Sequence, residues 1–133
     1  MAAKFWIACG ALLAAAAVAA GAIGAHVLKE VVKLPESQLE TYDVAVRYQM
    51  YHALGLIAAG LLIGRARSAW LTAAAVAFVT GCILFSGGIY AWLSTDNPIF
   101  IQVVPIGGTA WIVGWLLFAV GAITSRAGPP QVT

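Results

Sequence analysis

The stretch FWIACGALLAAAAVAAGAIGAHVL, residues 5–28, runs from Lys4 to Lys29 without a formal charge. As a helix rising 1.5 Å per residue its 24 residues reach about 36 Å, against a hydrocarbon core of about 30 Å. The same parts, a leading Lys4, an Ala/Leu run and small residues from Ala20 to Ala25, also build a cleaved signal peptide, but a retained membrane span is the expectation. Composition agrees with lipid as the solvent. Of the 133 residues 62% are hydrophobic and 9% charged, where soluble domains hold about 25% charged residues. Such a chain cannot clothe itself in polar surface. Helices that satisfy their own backbone groups are the form it can take in hydrocarbon.

Three further apolar runs follow. The second covers residues 44–64, and its helix is expected to begin earlier, where Pro35 precedes the capping-box spacing Ser37 to Glu40 and where Asp43 and Arg47 form an i,i+4 pair. Arg65, Ala66 and Arg67 make a tight turn. Ser68 is placed to cap a third span, residues 69–92, which stops at the turn-forming run Ser94, Thr95, Asp96, Asn97 and Pro98. The last run, residues 99–124, is interrupted by Pro105 and by Gly107 and Gly108. Proline suits the first helical position, so the fourth span is expected over residues 105–124 with residues 99–104 as an extended lead-in; a longer, kinked helix is the alternative. The tail from Arg126 to Thr133 reads as a short disordered end. The expected fold is all-α: one domain, a bundle of four transmembrane helices at about residues 5–28, 44–64, 69–92 and 105–124.

With four crossings, Lys4, Arg65, Arg67 and Arg126 fall on the side of the termini, with no acid among them. Glu30, Glu36, Glu40, Asp43 and Asp96 all fall on the other, beside Lys29, Lys33 and Arg47. Cytoplasmic loops carry the excess of Lys and Arg, so both termini are expected in the cytoplasm. The net charge of +2, without a basic run, gives no footing for nucleic acid. Cys9 and Cys82 lie at different depths in their spans and read as small apolar residues rather than a disulfide.

Small residues mark the faces where membrane helices approach one another. Gly10 with Ala14, Ala17 with Gly21, Ala20 with Gly24, and Gly60 with Gly64 are spaced for this, and Gly55, Gly87, Gly88, Gly107 and Gly108 permit close approach elsewhere. The second helix carries a polar stripe, Glu40, Asp43, Arg47, Tyr48, Tyr51, His52, Gly55 and Ala59, expected to face protein because ionisable groups this deep are costly in lipid. Measured from the span midpoints, His26, Arg47, Tyr48, Gln49, Ser86 and Tyr90 all lie about 7 to 14 Å toward the side away from the termini. With His52 and Gln102 they form the candidate polar cluster. Trp111 and Trp115 are too central for an interfacial belt and are expected to pack, whereas Trp6, Trp70 and Trp92 sit at belt depth.

Four stretches, Gly21-Ala-Ile-Gly-Ala-His26, Tyr48-Gln-Met-Tyr-His52-Ala-Leu, Leu84-Phe-Ser-Gly-Gly-Ile-Tyr90 and Pro105-Ile-Gly-Gly108 followed by Gly114-Trp115, resemble in order the motifs of the YwdK/YgdD-like family of small membrane proteins. That family, also called domain-of-unknown-function family 423, has a mitochondrial relative in animals. The resemblance covers residues 5–124 and implies a four-helix membrane fold in a bacterial cytoplasmic membrane, or the mitochondrial inner membrane in a eukaryote. It implies no activity. Ser86-Gly-Gly departs by one hydroxyl group from the Ser-Gly-Ser that the resemblance implies.

Haem or metal ligation by His26 and His52 is disfavoured, because the two differ in depth and no Cys, Asp or Glu is placed to complete a ligand set. No cofactor, metal or catalytic residue is expected, since the sequence holds no nucleophile motif, phosphate loop or paired carboxylates. What remains is a non-enzymatic accessory, assembly or helix-packing subunit, whose partners are the bilayer and either other membrane subunits or its own copies. The alternative is a small transporter or channel using the polar cluster around Arg47 and His52. A cofactor-binding redox protein is the third reading.

Overall fold

The computed structural model describes residues 2–125; the tail from Arg126 onward, read above as disordered, lies outside the described residues. Four helical rods joined by three short turns make up this part, with no strand among the described residues: α1 (Ala2–Val32), α2 (Glu36–Arg65), α3 (Ala69–Thr95) and α4 (Pro98–Thr124). Three of them, α1, α3 and α4, are long and apolar enough to cross a membrane. The remaining rod, α2, has 30 residues but carries Glu36, Glu40, Asp43 and Arg47 in its first half.

Local chemistry sets most boundaries. In α1 the helix continues past residue 28 by changing to π geometry over Ile23–Val32. It stops at Lys33, whose left-handed φ of 59° turns the chain so that the Leu34 N–H reaches the Leu28 carbonyl at 3.0 Å. The expected capping box at Ser37 is not formed. Pro35 takes the cap position instead, its carbonyl accepting from Gln38 and Leu39, so the helix begins at Glu36 and Ser37 already lies inside it. Ser68 does cap α3, accepting from the Leu71 N–H. A π turn over Cys82–Ser86 interrupts α3, which then runs on to Thr95.

The start of α4 corrects the sequence reading. Residues 99–104 are helical and the first helical residue is Pro98, not Pro105. Both prolines satisfy the first-turn rule, but only Pro98 follows a capping side chain: Asn97 Oδ1 accepts from the Ile99 N–H at 3.1 Å. Pro105 is carried inside the helix.

The rods pair as α1 with α2 and α3 with α4, and α2 against α3 joins the pairs. Leu56, Ala59, Ala75, Phe78, Cys82 and Trp111 form the shared core. From α1 only Trp6, Cys9 and Leu13 reach its edge, because α1 lies along α2 and makes no extensive contact with α4. The α1–α2 contact is close. A Cβ at Gly10 would come within 2.8 Å of the Ala53 carbonyl, and one at Gly60 within 3.0 Å of the Ile7 nitrogen. At Gly24 a Cβ would meet the Tyr42 ring at 2.8 Å, whereas at Gly21 and Gly64 it would find ordinary contacts of 3.6 and 3.4 Å. Gly87 likewise has space around it, its nearest neighbour being a carbonyl of its own helix at 3.7 Å.

Candidate functional site

Residues 42, 45, 49, 52 and 56 return to one side of α2 every three or four positions and are all buried. Two polar centres are built on that side. In the first, the Gln49 amide reaches in two directions: Nε2 donates to the Leu13 carbonyl of α1 at 2.9 Å, and Oε1 accepts from the Tyr90 hydroxyl of α3 at 3.0 Å. Ser86 Oγ donates to the Ala45 carbonyl at 2.8 Å, and the Tyr42 hydroxyl donates to the Ala20 carbonyl at 2.8 Å. The Tyr42 and Tyr90 rings lie 5.2 Å apart. Three helices are thus tied by side chains whose alternative would be unpaired polar groups in a dry interior.

The second centre lies about a turn away, around His52. Its Nδ1 is 2.6 Å from the Tyr48 carbonyl, and its ring lies parallel to Trp111 of α4, with centroids 3.8 Å apart and planes 2° apart. Trp111 in turn donates Nε1–H to the Phe78 carbonyl at 3.1 Å. Tyr48 and Phe85 stack at the margin of this group. Among the described residues, no fully buried side-chain nitrogen or oxygen lacks a hydrogen bond.

The eight residues of the sequence-predicted cluster therefore do not form one site. Gln49, Ser86 and Tyr90 share the first centre, and His52 is the heart of the second. Tyr48 stands at its rim, 44% exposed. Arg47 points outward and pairs with Asp43 at 2.9 Å, and His26 and Gln102 are exposed on α1 and α4. The expectation that the polar stripe of α2 faces protein holds within this chain only for His52, Gly55 and Ala59; Glu40, Asp43, Arg47, Tyr48 and Tyr51 are exposed. The stripe is wider than one contact face. Sequence reasoning missed Tyr42, although its spacing of seven from Gln49 puts it on the same side, and the pairing of His52 with Trp111. Trp115 is only partly packed, 43% exposed.

No three His, Cys, Asp or Glu side chains converge as a metal site would require, among the described residues, and both cysteines are free thiols. What this arrangement does chemically is hold helices together. Gln49→Leu is expected to destabilise the fold by about 1–3 kcal/mol, because it strands the Tyr90 hydroxyl and the Leu13 carbonyl. Tyr90→Phe should cost less. A double-mutant cycle by unfolding in detergent should give a coupling of about 0.5–1.5 kcal/mol, and strictly additive effects would contradict a direct bond.

Residues 20–108, which include both centres apart from Leu13 and Trp111, match the family model described as "Protein of unknown function (DUF423)". A UPF0382 membrane protein of Staphylococcus saprophyticus is 40% identical over 123 residues, covering 89% of this chain and 96% of its own. The UPF0382 membrane protein YwdK of Bacillus subtilis is 36% identical over 90% of this chain and 97% of its own. The UPF0382 inner membrane protein YgdD of Escherichia coli K12 is 33% identical, with 80% and 79% covered. No solved structure matches. On the family match and on relatives that align over nearly their full length, this chain belongs to the DUF423 family of membrane proteins.

Proposed function

We propose that this protein is a non-enzymatic, helix-packing subunit of a larger membrane assembly, crossing a bacterial cytoplasmic membrane four times with both termini in the cytoplasm. The orientation is read from the Lys/Arg balance of the sequence: Lys4, Arg65, Arg67 and Arg126 fall on the side of the termini against Lys29, Lys33 and Arg47 on the other, and two of the four sit in the short turn between α2 and α3. The observation that carries the reading is the outer face of α2. Arg47 and Tyr51 are exposed inside the apolar run 44–64 of a rod whose neighbours are apolar, and such groups are costly against lipid unless protein or water covers them. The inner polar groups support the same reading from the other side, since Gln49, Ser86, Tyr90 and Trp111 are engaged in tying helices together. A transport path through Arg47 and His52 is disfavoured by their placement, one on the outward side of α2 and the other on its inner side, stacked beneath Trp111.

The test is extraction of native membranes in mild detergent, followed by native electrophoresis and identification of co-migrating polypeptides. The protein is expected in a particle well above the 13.8 kDa of one chain and its detergent. A monomer in every mild detergent, and after chemical cross-linking in intact membranes, would end the proposal.

A further inference from the structure

The far end of α1 stands off from the rest of the bundle. None of the ten residues in its π segment, Ile23–Val32, is buried, and between this segment and the end of α3 lies a cavity of about 300 Å³. Ile23, Leu28 and Val32 line it from α1 and Leu93 from α3, and Tyr42 and Tyr90 of the first polar centre, their rings 5.2 Å apart, complete the wall. Ser94 stands exposed at the rim. Lys29, Lys33 and Asp96 bracket these positions in sequence, so in a membrane the cavity sits where hydrocarbon gives way to headgroups.

The lining decides what kind of molecule fits. Its three hydroxyl protons are all committed: Tyr42 donates to the Ala20 carbonyl, Tyr90 to Gln49 Oε1 and Ser94 to the Tyr90 carbonyl. No lining side chain carries a charge. A phosphate or carboxylate placed here would leave water and find no side-chain donor. Water suits the cavity poorly as well, because a trapped molecule needs two to four polar partners and most of this wall is aliphatic. A helix is too wide, since a single turn about 10–12 Å across and 5.4 Å tall takes up roughly 400–600 Å³. A hydrocarbon chain asks for no hydrogen bond. At about 30 Å³ for each methylene, close to the share of one water in the liquid, roughly ten carbons of it fit.

We propose that this cavity binds one fatty acyl chain of a membrane phospholipid, which passes the exposed Val32 and Ser94 and leaves its headgroup outside, level with Lys29 and Lys33. The chain gives Ile23 and Val32, 47% and 54% exposed, the dispersion contacts that an empty cavity withholds. It also seals the apolar side of the Tyr42 and Tyr90 rings, whose hydroxyls tie α1, α2 and α3 together. This site does not depend on the protein's being a subunit of an assembly.

The experiment gives the full-length protein, in mild detergent, one equivalent of a phosphatidylcholine carrying a diazirine in one acyl chain, irradiates it and maps the adducts by mass spectrometry. Adducts are expected at Ile23, Leu28, Val32 and Leu93 in excess over Leu12 and Ile123, which are more exposed, at 71% and 85%, but line no part of this cavity. Val32→Trp and Ser94→Trp, at exposed positions on the rim, should each lower the cavity adducts several-fold. The adducts at Leu12 and Ile123, and the unfolding midpoint in lipid-free detergent, should stay unchanged. Unlabelled dioleoylphosphatidylcholine should compete, whereas glycerophosphocholine, the same headgroup without chains, should not. Labelling in proportion to exposure, or cavity adducts indifferent to both substitutions, overturns the site. Displacement by glycerophosphocholine overturns the assignment of the chain rather than the headgroup.

Discussion

Trp111→Ala is expected to lower stability by about 3–5 kcal/mol, the range for deleting a fully buried aromatic side chain. Trp111 is 3% exposed, and three kinds of contact depend on it. Its ring covers His52 at 3.8 Å, lies directly against Gly81 of α3, and carries the Nε1–H that binds the Phe78 carbonyl. Apolar side chains gain little by leaving lipid for a protein interior, so most of the loss comes from the void and the vanished dispersion contacts rather than from exposure to water. Trp111→Phe should retain most of the stacking and lose the hydrogen bond, for a smaller cost near 1–2 kcal/mol. Unfolding in mixed micelles checks both, with the wild-type chain alongside. If Trp111→Ala unfolds within a few tenths of a kcal/mol of wild type, the interlock of α2, α3 and α4 at this point is wrong.

That interlock was only partly legible in the sequence. The long uncharged runs and the polar residues between them already marked four rods, because length and charge are the properties that hydrocarbon selects. Ser68 as the cap of α3 and the pairing of Asp43 with Arg47 were legible too, being local in sequence. The start of α4 was not: Pro98 and Pro105 obey the same first-turn rule, and the choice rested on the Asn97 cap and on packing against α3. The π segments at Ile23–Val32 and Cys82–Ser86 left no mark in composition, since a hydrogen-bond ladder shifted by one residue uses the same side chains. The candidate cluster was drawn too large for a reason visible in helix geometry. Arg47 and His52 are five residues apart, about 140° around the helix, so they belong to different faces even though their depths are close. Depth groups residues into layers, and only the partner helices say which side of the layer each one meets.

The neighbouring glycines of α4 offer a sharper discrimination, because the same substitution is expected to have opposite outcomes one residue apart. At Gly107 an added Cβ would lie 2.5 Å from the Phe85 nitrogen and 2.9 Å from the Leu84 carbonyl carbon, backbone atoms within the π turn of α3. Backbone in a packed rod has nowhere to retreat, so one methyl group must push α3 and α4 apart along the seam. Gly107→Ala is therefore expected to cost about 1–3 kcal/mol, the usual range for overpacking. At Gly108 the same Cβ would meet the flexible edge of the Phe85 ring at 3.7 Å, an ordinary contact. Alanine also fits a helix better than glycine by about 1 kcal/mol, which gives Gly108→Ala a neutral or slightly stabilising effect. The same helix preference acts at Gly107, so subtracting the two unfolding free energies isolates the steric contribution of the α3–α4 approach. Equal effects at both positions would mean that α4 is rotated about its axis relative to α3. The stacking of Trp111 on His52 would then be lost as well, since it lies one turn further along the same face.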